Sequence, residues 1–134
     1  MRVLALDYGS GRTGVAISDA SGVLARPLTT VRRVAARAGL AELSAIIERE
    51  QPELIVVGLP LTLSGQKGVQ AAETSSFVGR LRERCAIPIV MEDERFTTRI
   101  ARDLTPGRKG SDDAAAAAVL LQGFLDARNA REER

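Results

Sequence analysis

An α/β fold is predicted, with a five-stranded mixed sheet, three strands antiparallel and then two parallel, flanked by about four helices. Three features of the sequence carry that reading. Short apolar runs without alternation mark strands buried on both faces, a tight polar turn joins two of the early strands, and segments of helical periodicity separate the later ones.

Val3 to Leu6 is the first such run, and it ends on Asp7 followed by glycines. Gly9, Gly11 and Gly14 let the chain turn back, so that Val15 to Ile17 returns beside the first strand. Asp19-Ala20-Ser21-Gly22 is a hairpin-type connection into Val23-Leu24-Ala25 and an extended stretch through Pro27, completing an antiparallel meander. Ala36, Leu40, Leu43 and Ile47 recur at helical spacing, which predicts a helix over 34–50 that stops at Gln51-Pro52. Leu54 to Val57 then enters through a helical crossover and lies parallel to the first strand. A loop from Gly58 to Gly68 leads to a helix over 69–84, and Ile87 to Met91 is the fifth strand, with Pro88 tolerated at its start. Helices over 97–104 and 112–128 close the chain, joined through Pro106-Gly107-Arg108-Lys109-Gly110. Residues 1–128 read as a single domain and 129–134 as a charged, frayed tail.

Composition removes several function classes. Hydrophobic residues make up 45% of the chain but aromatics only 3%, so the core is aliphatic and alanine-rich and platforms for stacking bases are scarce. Single-strand binding of the OB-fold or RRM kind is therefore disfavoured. Histidine is absent, which excludes Ser-His-Asp and Cys-His triads and leaves carboxylates as acid, base or metal ligand. A lone cysteine, Cys85, cannot form an internal disulfide and continues an apolar helical stripe with Phe77, Val78 and Leu81, as a small core residue would. With no signal peptide and no apolar span of membrane length, a soluble cytoplasmic protein without a membrane partner is expected.

The net charge is +2, and of the 19 basic residues only Lys67 and Lys109 are lysine. Arginine is the side chain suited to bidentate phosphate contact. Arg26, Arg32, Arg33 and Arg37 fall in a stretch without acids, and Arg95, Arg99 and Arg102 follow Glu94. A polyanionic partner fits both clusters, and so does a solvated, charge-balanced surface.

Three carboxylates, Asp7, Glu94 and Asp113, sit where one element hands over to the next. Each has an ordinary explanation: Asp7 organising a turn, Glu94 facing solvent in the run Glu92-Asp93-Glu94, and Asp113 or Asp112 capping a helix. Together they suggest a divalent-metal site that cuts phosphodiesters, because open α/β sheets place sites at the carboxyl ends of parallel strands. On that rule Asp7 and Glu94 should be neighbours.

These residues lie in motifs that resemble those of the YqgF/RuvX family, a ribonuclease H-like group associated with Holliday-junction resolution and with maturation of pre-16S rRNA. The motifs are Leu6-Asp7-Tyr8-Gly9 with Gly14-Val15-Ala16, Val57-Gly58-Leu59-Pro60-Leu61 with Gly65, Asp93-Glu94-Arg95-Phe96-Thr97-Thr98, and Asp113 with Leu121-Gln122-Gly123-Phe124-Leu125-Asp126. They occur in order from Leu4 to about Asp126. The resemblance implies a metal-dependent nuclease whose catalytic and metal-binding acids are Asp7, Glu94 and Asp113, the register from Leu121 favouring Asp113 over Asp112. One departure stands out: the loop Thr105 to Asp112 is shorter and less basic than in relatives, with only Arg108 and Lys109 left to grip substrate.

The chemistry expected of such a trio is two-metal hydrolysis, with ions ~3.5–4 Å apart and Asp7 bridging both. Oxygen ligands suit Mg²⁺, with Mn²⁺ as substitute. Arg12 and Arg95 are expected phosphate clamps, Thr97 a helix cap, and Lys67, Arg108 and Lys109 further nucleic-acid contacts. The substrate is RNA or DNA, through 5′-end maturation of pre-16S rRNA or cleavage of single-stranded or junction DNA. Junction cleavage calls for a two-fold homodimer, whereas rRNA processing does not. Two rivals remain at this point: a non-catalytic nucleic-acid or ribosome-associated module of the same fold, and an ATP-binding phosphotransferase opening on a similar Asp-Tyr-Gly turn.

Overall fold

The computed structural model describes residues 1–59, 68–93 and 110–132. They form a five-stranded mixed sheet between two helical layers. Strands β1 (Val3–Asp7), β2 (Arg12–Ser18) and β3 (Ala25–Arg32) make the antiparallel meander. Helix α1 (Arg37–Glu50) crosses to β4 (Leu54–Leu59), and α2 (Val69–Arg82) to β5 (Ile89–Asp93), both strands parallel to β1. The spatial order is β3-β2-β1-β4-β5. Helix α3 (Gly110–Glu132) closes the fold. The helix expected over 97–104 lies outside the described residues.

The pleat sorts each strand between the two layers. Leu4, Leu6, Val15, Ile17, Ile55 and Val57 face α1 and α2, where they meet Leu40, Leu43 and Ile47 of the first helix and Phe77, Val78 and Leu81 of the second. Val3, Ala5, Ala16 and Val56 face the other way, onto Ala117, Leu121 and Leu125 of α3. Cys85 is half-buried against the first of these layers, as a small core side chain.

Strands β3, β4 and β5 run past the expected ends and α3 begins at Gly110, two residues before the expected start; four other boundaries differ for a local reason. Helix α1 begins at Arg37 and not at 34, because Arg33 takes a left-handed conformation (φ 47°) in the turn that precedes it. For a non-glycine residue that conformation costs about 1–2 kcal/mol. The turn is held by Arg33 N–H donating to Gly11 O (2.9 Å) and Ala36 N–H to Arg33 O (2.9 Å). Helix α2 stops at Arg82, two residues before the expected end, and its Leu81 carbonyl accepts from both Arg84 and Cys85 N–H. Strand β5 starts two residues late, at Ile89, with Pro88 supplying a carbonyl to Ile55 N–H (3.0 Å) just ahead of it. Helix α3 continues to Glu132, so residues expected in a frayed tail from 129 are helical as far as that point. Asn129 Nδ2 donates to Gly22 O (3.1 Å), and Arg128 pairs with Glu132 one turn on.

Strand β3 is an edge strand and carries Pro27 opposite a register shift between Val15 and Ala16. Its amino-terminal end is fastened by Gln122 of α3, whose Oε1 accepts from Ala25 N–H (2.9 Å) while Nε2 donates to Val23 O (2.8 Å). The Leu121-Gln122-Gly123 motif therefore has a structural role.

Candidate active site at the carboxyl end of the sheet

Asp7 is the last residue of β1 and shares the α3-facing side of the pleat with Val3 and Ala5. Only 3% of it is exposed. Its cross-strand neighbour is Gly14 on β2. A Cβ at Gly14 would collide with the main-chain carbonyl of Asp113 and lie 2.9 Å from Ala114 N, so helix α3 rests its backbone directly on this strand. That contact brings Asp113, far along the chain, next to Asp7.

The two acids line one cleft of about 330 Å³ together with Gly9, Arg12 and Gln70. Oδ1 of Asp7 and Oδ2 of Asp113 are both shielded from solvent. Arg12 Nε lies 3.1 Å from Asp113 Oδ2, with the arginine half-exposed and the acid mostly covered. A buried carboxylate without compensation is costly, so an end-of-strand acid beside a second acid and a cation is a place built to hold positive charge.

The loop carrying Asp7 into the cleft is held from both sides. Thr13, fully buried, accepts from Gly9 N–H at 3.3 Å and its hydroxyl donates to Gly9 O at 3.2 Å. A side chain at Gly9 would strike the Arg12 carbonyl. Tyr8 turns to the opposite layer and stacks on Phe77, with ring centroids 5.0 Å apart. Burial pushes the Tyr8 phenol above its usual pKa; the Glu73 charge adds to the rise and Arg80 opposes it.

Of the expected site residues, the structure brings Asp7, Asp113 and Arg12 together. Glu94, Arg95, Thr97, Lys67, Arg108 and Lys109, and the side chain of Asp112, lie outside the described residues. Strand β5 ends at Asp93, immediately before Glu94, at the same end of the sheet as Asp7. It is not adjacent to β1: β4 intervenes, a separation of two strand spacings or about 10 Å. No group of three potential metal ligands is assembled among the described residues, two of the three expected acids being among them. Oxygen donors at a concave, polar strand end are the donor set that Mg²⁺ or Mn²⁺ takes. Sequence reasoning missed Thr13, whose hydroxyl closes the loop, and Gln70, which lines the cleft from the first turn of α2. The position of Gln70 just after a glycine-rich loop was the only available signal for it.

Comparison with known proteins gives the family and the fold. A protein of Roseiflexus sp. (strain RS-1) named "Putative pre-16S rRNA nuclease" is 44% identical over 132 residues, covering 93% of this chain and 94% of the other. One of the same name from Anaplasma marginale (strain St. Maries) is 41% identical over 132 residues, covering 93% and 84%. Among solved structures, T. thermophilus RuvC in complex with Holliday junction substrate superposes with a TM-score of 0.60 at 16% identity, covering 97% of this chain and 96% of that one. Fowlpox virus resolvase, in its complex with Holliday junction DNA, gives 0.60 at 10% identity, covering 95% and 98%. At such identities these two likenesses speak for the fold alone. Since residues 1–127 match the family model described as "RuvX: Holliday junction resolvase", the chain belongs to the RuvX family of ribonuclease H-like nucleases.

Proposed function

We propose that the chain is a divalent-metal-dependent nuclease whose cleft holds Mg²⁺, or Mn²⁺ in its place, between Asp7, Asp113 and Glu94, and that its substrate is the 5′ region of pre-16S rRNA. The observation that supports it best is the seating of the Asp113 main chain on Gly14, which sets two acids from opposite ends of the chain into one cleft. Bound metal supplies the activation of water and the stabilisation of the leaving 3′ oxygen. The chain's own residues do the rest. Asp7, held by the β1 pleat and the Gly9–Thr13 clasp, fixes the position of the charge. Arg12, paired with Asp113, is placed to turn to an incoming phosphate when cations take over that acid. No histidine is needed as base.

The preference for rRNA over junction DNA rests on the relatives 37–44% identical that bear the pre-16S name, against 10–16% identity for the resolvases. No helix among the described residues is long and apolar enough to cross a membrane. The test is a cleavage panel in Mg²⁺ and Mn²⁺, with a pre-16S fragment, single-stranded RNA, single-stranded DNA and four-way junction DNA, beside Asp7→Asn and Glu94→Gln. Cleavage by the unaltered chain, lost in both variants with Tm unchanged, is expected. Inactivity on every substrate despite tight binding would establish a non-catalytic module in place of a nuclease.

A further inference from the structure

We infer that Arg32, Arg33 and Arg37, at the site end of β3 and the start of α1, seat the sugar-phosphate backbone of the substrate strand next to the cleft. The inference deepens the proposed nuclease function by assigning a direction in which the strand leaves the site.

Four observations converge on this corner. From Ala20 to Ala41 the chain has no acidic residue, and all of Arg32, Arg33 and Arg37 are exposed. Among the described residues no carboxylate pairs with any of them. Arg32 is the cross-strand partner of Arg12, and facing side chains of like charge repel. Asp113 relieves only Arg12. A polyanion lying across both would remove that repulsion.

Arg33 occupies a left-handed backbone position (φ 47°) where glycine is the natural residue, and its N–H is tied to Gly11 of the cleft loop. Arginine stands there against a backbone cost and beside the cleft loop, whereas the other such residue, Gln51, is the left-handed C-cap that ends α1. Helix α1 starts on Ala36, which offers no side-chain cap, and its first turn holds Arg37 and no acid. The positive end of the helix dipole thus meets further positive charge, an arrangement that an anion stabilises.

Protection of an exposed edge strand by charged side chains accounts for Arg26, which pairs with Ile17 at the other end of the sheet. It does not account for Arg33 and Arg37, which lie beyond the strand. Arg26 is therefore the internal control.

The experiment is fluorescence anisotropy of the full chain with labelled single-stranded RNA and labelled four-way junction DNA, in EDTA so that no cleavage occurs, over a salt series. Arg32→Ala combined with Arg33→Gly should weaken binding at least tenfold at low salt and flatten the salt dependence of log K by about 1.4, at about 0.7 per lost contact to a single strand. Arg26→Ala should bind as the unaltered chain does. Arg33→Gly alone should not lower Tm, because it relieves the left-handed strain. The nucleic acid that shows the change identifies the source of the phosphates. Unchanged affinity and slope in the double variant, an equal loss in Arg26→Ala, or binding to neither nucleic acid overturns the inference. Arginine-dependent binding without cleavage in the metal panel would instead overturn the nuclease reading and leave this one standing.

Discussion

The two faces of the sheet differ in how closely their helices approach. Toward α1 and α2 the contact is made by large side chains, Leu4, Leu6, Ile17, Leu43, Phe77 and Leu81 among them, all fully buried. Toward α3 large side chains also pack, Val3, Val56, Leu121 and Leu125, but next to them stand small ones, Ala5, Ala16, Ala114 and Ala117, and at Gly14 main chain meets main chain. A thick apolar layer contributes most of the hydrophobic stabilisation and tolerates small shifts of the helices upon it. A thin layer contributes less but fixes the helix at short range. It is the thin face that carries both described acids, so in this molecule stability and geometry are supplied by different sides of one sheet.

That contrast can be broken at its sharpest point first. Gly14→Ala should lift the start of α3, move Asp113 away from Asp7, and lower the cleavage rate by about 10²-fold or more, as misplacements of ~1 Å do. Steady-state kinetics on the preferred substrate would read it, and near-normal turnover would mean that the close approach is dispensable. On the thick face, Leu43→Ala should cost about 2–5 kcal/mol in urea unfolding. Turnover per folded molecule should stay within a factor of two, and a parallel loss of activity would dissolve the distinction between the faces. Gln122→Ala removes both hydrogen bonds to the start of β3 and should cost about 1–3 kcal/mol. Hydrogen exchange should show the loss concentrated at Val23 to Ala25.

Tyr8→Phe tests the smallest effect. The phenol's folded pKa is raised, so its contribution is complete below the unfolded value near 10 and is lost as pH rises through the folded one. Unfolding free energy measured from pH 8 to 11.5 should fall at the alkaline end in the unaltered chain and fall less steeply in Tyr8→Phe. Identical profiles would mean that the ring's burial does not oppose its ionisation.

Much of this was legible in the sequence, and unevenly. Strand direction followed from period and connection length: the Asp19–Gly22 turn implies an antiparallel neighbour, and a helix between Arg37 and Glu50 implies a parallel one. Asp7 could be singled out because an acid closing an apolar run must meet compensation at the rim of the core, with a turn-organising role open beside a metal-binding one. The contact between Gly14 and Asp113 could not, since no local signal reports which backbone will press on a given glycine. Arg33 hid the start of α1, because the apolar spacing of Ala36 and Leu40 runs into a turn set by hydrogen bonds to a distant loop. The helical residues at 129–132 read as a tail from charge alone, although Asn129 and Arg128 each have partners that only the folded chain supplies.

The seating of α3 on Gly14 also sets an order of assembly during translation. Asp7 leaves the ribosome before Asp113, and the backbone contact that joins them needs the helix that starts at Gly110. A partly synthesised chain, even with its five strands in place, carries half a cleft, so that its hydrolytic competence would be withheld until α3 has been made and has docked.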